Sequence, residues 1–440
     1  MLDLAHTSHF AAFPEAEGPH VRFRDWTGDR SVSAIGTNAG SAPLPFQRWR
    51  RFKEAFAPEI VERALSETSG TIRHISDPFG GSGTTALAAQ FLGVRPTTIE
   101  VNPFLADLIE AKVASLDFDA AAAAFARIVE RVADSRMLDR PLFPGAPPTF
   151  VEPGQNGRYI FSQAVARRFL AYRAAIDLER DEACKRLFRV VLASTAIPAS
   201  NVVVSGKGRR YRQGWRDRER DPGIVDELFS TGVLEALHDL RRFASRRCLD
   251  YTLLRGDART LTAEIGPHDL AVFSPPYPNS FDYTDVYNVE LWALGYLRSS
   301  SGNTRLRHAT LRSHVQVLHD FEGYQVHSQA LTATIEALRE VRSRLWNRHI
   351  PEMIDGYAQD LAIIMDHLRH GLRSHGRAYI VVGDSRYAGV HVPVAKILTE
   401  LAHPLGYRLI AMEPSRSMRS SPQQGGQHEL GETLVVLEKP

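Results

Sequence analysis

The stretch 269-DLAVFSPPYPNSFDY-283 sets an apolar run, Leu270–Phe273, directly before Ser274-Pro275-Pro276-Tyr277. The run reads as a buried strand. Two adjacent prolines end it, because neither has an N–H to give to a ladder. Ser274 then offers a side-chain oxygen at the strand's tip, Pro275 a main-chain carbonyl held rigid by the proline rings, and Tyr277 a flat aromatic face. Two acceptors beside an aromatic suit an NH₂ group on a planar ring: the acceptors engage its hydrogens while the ring stacks. A Pro-Pro turn that only caps a strand is the plainer account of the same residues.

A second stretch, 75-ISDPFGGSGTTALAAQFLG-93, reads as strand, tight turn and helix. Gly80, Gly81 and Gly83 let the backbone turn sharply and approach a ligand. Thr84 and Thr85 open a helix whose free N–H groups can face an anion or a polar ligand. Such turns also occur in α/β proteins with no ligand. Two ligands fit the spacing. Gly81-x-Gly83-x-x-Ala86, with Glu100 at the end of the next strand, matches the loose dinucleotide fingerprint. The same layout suits S-adenosylmethionine, whose ribose needs a carboxylate and whose methionine needs a cramped turn. No Lys follows the glycines, which excludes a P-loop. Asp77 favours the second ligand: it would repel a pyrophosphate but suits an α-ammonium.

DPFGGSGTT resembles the DPFxGSGTT signature of the amino-methylating DNA methyltransferases, and SPPY resembles their (D/N/S)PP(Y/F/W) catalytic motif. The resemblance spans residues 45–115 and 250–440 in ordered motifs. It implies S-adenosylmethionine as cofactor, held by Asp77, Pro78, Phe79, Gly81, Gly83, Thr84, Glu100, Asn102, Asp257 and Ala258. Ser274, Pro275, Pro276 and Tyr277 would be the catalytic set. Asp257, in 253-LLRGDART-260, is similar to the family's GDA motif, which meets the adenine. The segment from Pro45, with Trp49, Phe52 and Lys53, resembles the part that folds over the cofactor.

The chemistry explains why such a motif is needed. The lone pair of an exocyclic amine is delocalised into its ring, so a catalyst must draw that nitrogen toward sp³ geometry. Preorganised acceptors do this, and they are often the largest catalytic contribution. In a duplex the base must first be flipped out. With serine leading the motif, the chain looks most like the cytosine-N4 branch, with adenine N6 as the alternative. The glycine turn precedes SPPY, whereas many cytosine-N4 enzymes have the reverse order. An RNA or protein-glutamine methyltransferase would use the same logic. A dinucleotide-dependent oxidoreductase is disfavoured by Asp77 and SPPY. The resemblance further implies double-stranded DNA as partner and, in a restriction-modification setting, a cognate restriction or defence protein.

These residues must be positioned by a sheet. Seven apolar runs read as strands: 72–76, 97–101, 251–256, 270–274, 377–383, 407–413 and 433–438. The first five alternate with helices or long inserts, the pattern of a parallel sheet covered on both faces. The last two, joined by a polar Gly-rich loop, could pair as an antiparallel hairpin. The expectation is an α/β, seven-stranded class I methyltransferase (Rossmann-like) sheet with a helical inserted subdomain. Residues 1–45 read as an arm, 46–115 and 250–440 as the catalytic domain, and 116–249 as the helical insert. Helices are expected near 53–68, 118–135, 162–195 and 224–246.

The most basic segment is 198–223, with Lys207, Arg209, Arg210 and Arg212 among glycines and aromatics. A flexible backbone with guanidinium groups suits phosphate contacts; a solvated loop is the alternative. Arg50 and Arg342 are further candidates for the same face. Overall charge is uninformative, at 53 Lys+Arg against 51 Asp+Glu. Two cysteines without a CxxC pair point to a reducing compartment. The N-terminus lacks the features of a secretion signal, and no apolar run could span a membrane. The expected location is the cytoplasm. His367, His370 and His375 lie on a polar stretch read as helical, without an Asp or Cys to complete a metal site; no metal is expected.

Overall fold

The computed structural model describes residues 7–8, 22–28, 30, 32, 40–134, 141–205, 208–217, 220–246, 248–279, 282–316, 326–419 and 429–440. Seven strands carry its central sheet: β1 (His74–Asp77), β2 (Arg95–Glu100), β3 (Thr252–Arg255), β4 (His268–Phe273), β5 (Leu372–Gly383), β6 (Arg408–Arg419) and β7 (Glu429–Glu438). Their order across the sheet is β3-β2-β1-β4-β5-β7-β6, with Thr7–Ser8 added antiparallel outside β3. β1 to β5 run parallel, β7 runs antiparallel to β5, and β6 antiparallel to β7. This is the class I methyltransferase fold.

The strands sit where apolar runs placed them because each must bury both faces. All six residues of β4 are buried. Side chains alternate across the sheet: Leu270 and Val272 join one core, Ala271 and Phe273 the other. β5 does the same, with Tyr379 and Val381 on the first face and Ala378, Ile380 and Val382 on the second. The ladder carries β5 back to Leu372, so His375 lies in a strand and not on the helix that bears His367 and His370.

Helix ends follow capping residues more closely than apolar stripes. The helix expected over 53–68 spans Glu59–Glu67, with Pro58 at its N-cap. The expected helix 162–195 is two helices, Gln163–Asp177 and Glu182–Ala199. Asp181 Oδ1 accepts from Cys184 N at 2.7 Å and restarts the chain as a capped helix. Phe118–Asp134 and Gly223–Arg242 complete the helical segment. Their buried faces belong to the same apolar cluster as Leu270 and Val272. Near the N-terminus, Trp26 of the helix Phe23–Thr27 stacks on Phe91 at 4.8 Å and 5°.

One glycine of the turn after β1 is dictated by space alone. A Cβ on Gly80 would lie 2.3 Å from Thr98 Cγ2 and 2.8 Å from Ile109 Cδ1. Gly80→Ala is expected to cost about 1–3 kcal/mol, as overpacking of a filled core does. The measurement is a shifted urea midpoint at constant slope; an unchanged midpoint contradicts the packing.

Candidate active site

Ile75 pairs with Leu270 and Ser76 with Ala271, so β1 and β4 reach the carboxyl edge of the sheet together. The glycine turn and the SPPY turn therefore leave the sheet side by side. Strand order reverses between β1 and β4, and open α/β sheets hold ligands at such a point. Thr85 Oγ1 donates to the Val272 carbonyl at 3.1 Å, tying the helix after the glycines to β4.

A cavity of about 340 Å³ opens there. Asp77, Pro78, Phe79, Gly81 and Thr84 line one wall, with Glu100, Asn102, Asp257 and Ala258 beside them. Ser274, Pro275, Pro276 and Tyr277 line the same cavity. Gly83 does not line it. Its φ of +81° starts the following helix, and a Cβ there would sit 3.0 Å from Ile109 Cγ1.

The two acids are buried. Asp77 Oδ1 accepts from Phe79 N at 2.8 Å, and burial pushes its carboxyl up to about 7. Glu100 closes on its own loop: Oε1 accepts from Asn102 N and Oε2 from Gly81 N, both at 2.7 Å. Burial, and then the neighbouring Asp77, push Glu100 up to about 7 as well. Among the described residues neither acid forms an ion pair with Lys, Arg or His. Asn102 Oδ1 caps the helix Pro103–Val113, accepting from Phe104 N at 3.0 Å. Asp257 caps Ala258–Leu261 and pairs with Arg259 at 2.6 Å. Phe52 and Lys53 reach the cavity, and Phe52 stacks on Tyr287 at 5.7 Å. Trp49 does not line it: its Nε1 donates to Asp239 Oδ2 at 3.0 Å.

In the SPPY turn, Ser274 Oγ lies 2.9 Å from the Val381 carbonyl and 3.3 Å from Tyr277 Oη. Tyr277 donates to Glu432 Oε1 at 2.7 Å. A serine has one proton to give. With that proton directed at protein acceptors, the lone pairs are what Ser274 offers a ligand.

Several cavity residues belong to no motif read from the sequence: Glu54, Thr284, Tyr287, Ser313, His314 and Glu432. Burial raises the Glu54 carboxyl, whose Oε2 accepts from Tyr287 at 3.4 Å. Lys112 lies just behind the wall, fully buried. Its Nζ donates to the Ser82 carbonyl at 2.6 Å and Gln47 Oε1 at 3.0 Å, and burial pushes it down to about 7. Its one sequence signal is a lysine in a stretch that is apolar but for Glu110, 108-LIEAKVA-114.

The basic segment forms a hairpin, Val202–Ser205 with Gly208–Tyr211, where a flexible loop was expected. Tyr211 stacks on Trp215 at 4.7 Å and stiffens it. Lys207 lies outside the described residues. Arg209 pairs with Asp285 at 3.3 Å, which sets the hairpin beside the segment following SPPY. Arg210 is exposed. Arg212 donates to the Ser200 carbonyl at 3.0 Å and the Ile197 carbonyl at 3.1 Å, anchoring the hairpin. Arg50 is taken up by the buried Glu290, and Arg342 pairs with Glu352 at 2.5 Å. Among the described residues no group of three or more His, Cys, Asp or Glu could hold a metal ion. No described helix is long and apolar enough to cross a membrane.

No protein-family model matches the chain. It is 25% identical to the type II methyltransferase M.BsoBI of Geobacillus stearothermophilus, over 96% of this chain and 90% of that protein. It is 26% identical to the type II methyltransferases M.AvaI of Nostoc sp. and of Anabaena variabilis, over 90% of this chain and 87% of theirs. Among solved structures, the rRNA methyltransferase aviRa from Streptomyces viridochromogenes aligns with a TM-score of 0.28 and 11% identity, covering 88% of this chain and 86% of that one. Along nearly its whole length the chain is similar to type II methyltransferases.

Proposed function

We propose that the chain transfers a methyl group from S-adenosylmethionine to an exocyclic amino nitrogen in double-stranded DNA, at cytosine N4. The observation that carries this reading is one cavity lined by both a glycine turn with two buried acids and the Ser274–Tyr277 turn. The residues fit the cofactor. Two buried carboxylates that have no basic partner among the described residues suit an ammonium and ribose hydroxyls.

In this reading Asp77 holds the α-ammonium, Glu100 the ribose hydroxyls, and Asp257 with Ala258 the adenine. When bound, the cofactor supplies an electrophilic methyl group on a sulfonium. Ser274 Oγ and the Pro275 carbonyl accept the two amine hydrogens and draw the nitrogen toward sp³ geometry. Tyr277 stacks on the base; aromatic stacking is worth about 1–3 kcal/mol per base in single-stranded complexes. The relatives support DNA as the substrate. The hairpin supports a backbone contact beside the site, through Arg209 and Arg210, while Arg212 is engaged in anchoring.

The test is incubation with duplex DNA and labelled cofactor, digestion to nucleosides and identification of the labelled one. N4-methylcytosine is expected. N6-methyladenine moves the target to adenine. Label in tRNA or protein, with none in DNA, overturns the reading.

A further inference from the structure

β7 brings a carboxylate to the cavity from far along the chain. Glu432 is 2% exposed and faces Gly383 across the antiparallel ladder, at the carboxyl end of β5. Its Oε1 accepts from Tyr277, whose Oη lies 3.3 Å from Ser274 Oγ. Ser415 Oγ donates to the Glu432 carbonyl at 3.1 Å and helps to fix the strand. A connected chain of hydroxyls therefore runs from the oxygen that would grip the amine to a buried carboxylate.

Methylation leaves an amino nitrogen with one hydrogen too many. The nitrogen lone pair forms the N–C bond, the C–S pair goes to sulfur, and the nitrogen stays cationic until a proton leaves. A serine hydroxyl can pass such a proton on but cannot keep it. We propose that Glu432 is the final acceptor for the Ser274 site, an inference that rests on the amino-methylation reading above. The nitrogen gives its proton to Ser274 Oγ, and the N–H pair returns to nitrogen as a lone pair. Ser274 gives its own proton to Tyr277 Oη, and Tyr277 gives its proton to Glu432 Oε1. Serine and tyrosine end as they began, and Glu432 ends neutral until it releases the proton to water. Before transfer the same carboxylate orients Tyr277. Glu432 acts on the amine through Tyr277 and Ser274, so it is a positioning residue that also stores the proton.

The experiment is single-turnover methylation of the DNA on which wild-type transfer has been mapped. Glu432→Gln keeps an acceptor for Tyr277 but cannot take a proton. It is expected to lower the rate by about 10²-fold, the low end for a proton-transfer group, with cofactor and DNA affinities unchanged. Tyr277→Phe keeps a stacking ring and breaks the chain, so it is expected to lose a similar factor. The double variant should be no slower than the worse single one, because both remove one path. A Glu432→Gln variant at the wild-type rate, or losses that multiply in the double variant, overturns the inference alone. A wild-type chain that transfers nothing to DNA overturns the functional reading and this inference with it.

Discussion

Ser274→Ala is expected to slow methyl transfer by about 10²–10³-fold, the usual loss when one preorganised polar group aimed at a transition state is removed. Cofactor affinity should stay unchanged, because in the proposed reading Asp77, Glu100 and Asp257 hold the cofactor and Ser274 does not. The size of the loss follows from what the serine does. Its proton is directed at protein acceptors, the Val381 carbonyl at 2.9 Å and Tyr277 Oη at 3.3 Å, so in the proposed reaction its oxygen meets the amine as an acceptor. Alanine leaves the amine with the Pro275 carbonyl alone, and the nitrogen stays closer to planar. Ser274→Cys, larger and a weak acceptor, should fall between the two. Single-turnover rates and calorimetric cofactor titration separate the effects. Equal rates for wild type and Ser274→Ala would remove Ser274 from the chemistry. A cofactor affinity that fell with the rate would make it a binding residue instead.

Contiguity decides how much of this site the sequence could reveal. The glycine turn and SPPY are each a few residues long, and each follows an apolar run that had to be a strand. Their adjacency needed one more step, that β1 and β4 are neighbours, and the parallel α/β pattern supplied it. Glu432 sits 155 residues after Tyr277, its hydrogen-bond partner. No local pattern distinguishes it from an ordinary strand acid, and only the pairing of β7 with β5 brings it to the cavity. Lys112 had a local signal, yet its partners, Ser82 and Gln47, are 30 and 65 residues away. The basic segment misled in a different way. Its glycines and arginines read as a loose loop, but Tyr211 on Trp215 and the Arg212 bonds to helix-end carbonyls supply enough contact to hold a hairpin. Helix boundaries slipped where a cap outweighed the apolar stripe, as at Asp181, and where a proline disfavours a helix interior, as at Pro58.

The acids make a second large effect, with a definite sign. Burial opposes the charge of Asp77 and Glu100 and pushes their carboxyls from the ordinary 3.8 and 4.5 up to about 7 in the folded chain. Between those limits the folded chain binds more protons than the unfolded one. Stability without cofactor therefore falls as pH rises through that window. A ligand that brings an ammonium to Asp77 needs the carboxylate, so its affinity runs the other way. Below about pH 7 each group that must ionise costs about tenfold in affinity per pH unit. Cofactor should accordingly raise the melting temperature more at about pH 8 than at about pH 6, since ligand stabilisation grows with the ratio of concentration to Kd. Asp77→Asn keeps an oxygen for the Phe79 N–H and removes the charge. It should weaken binding by about 10- to 150-fold, as losing a hydrogen bond to a charged group does at about 1.5–3 kcal/mol. It should also flatten the pH dependence and stabilise the cofactor-free chain near neutrality, where wild-type Asp77 begins to carry an unpaired buried charge. Calorimetry of wild type and variant across this range measures each of these. If wild-type affinity is flat from about pH 6 to 8, the cofactor does not depend on these carboxylates, and the glycine turn holds it by shape alone.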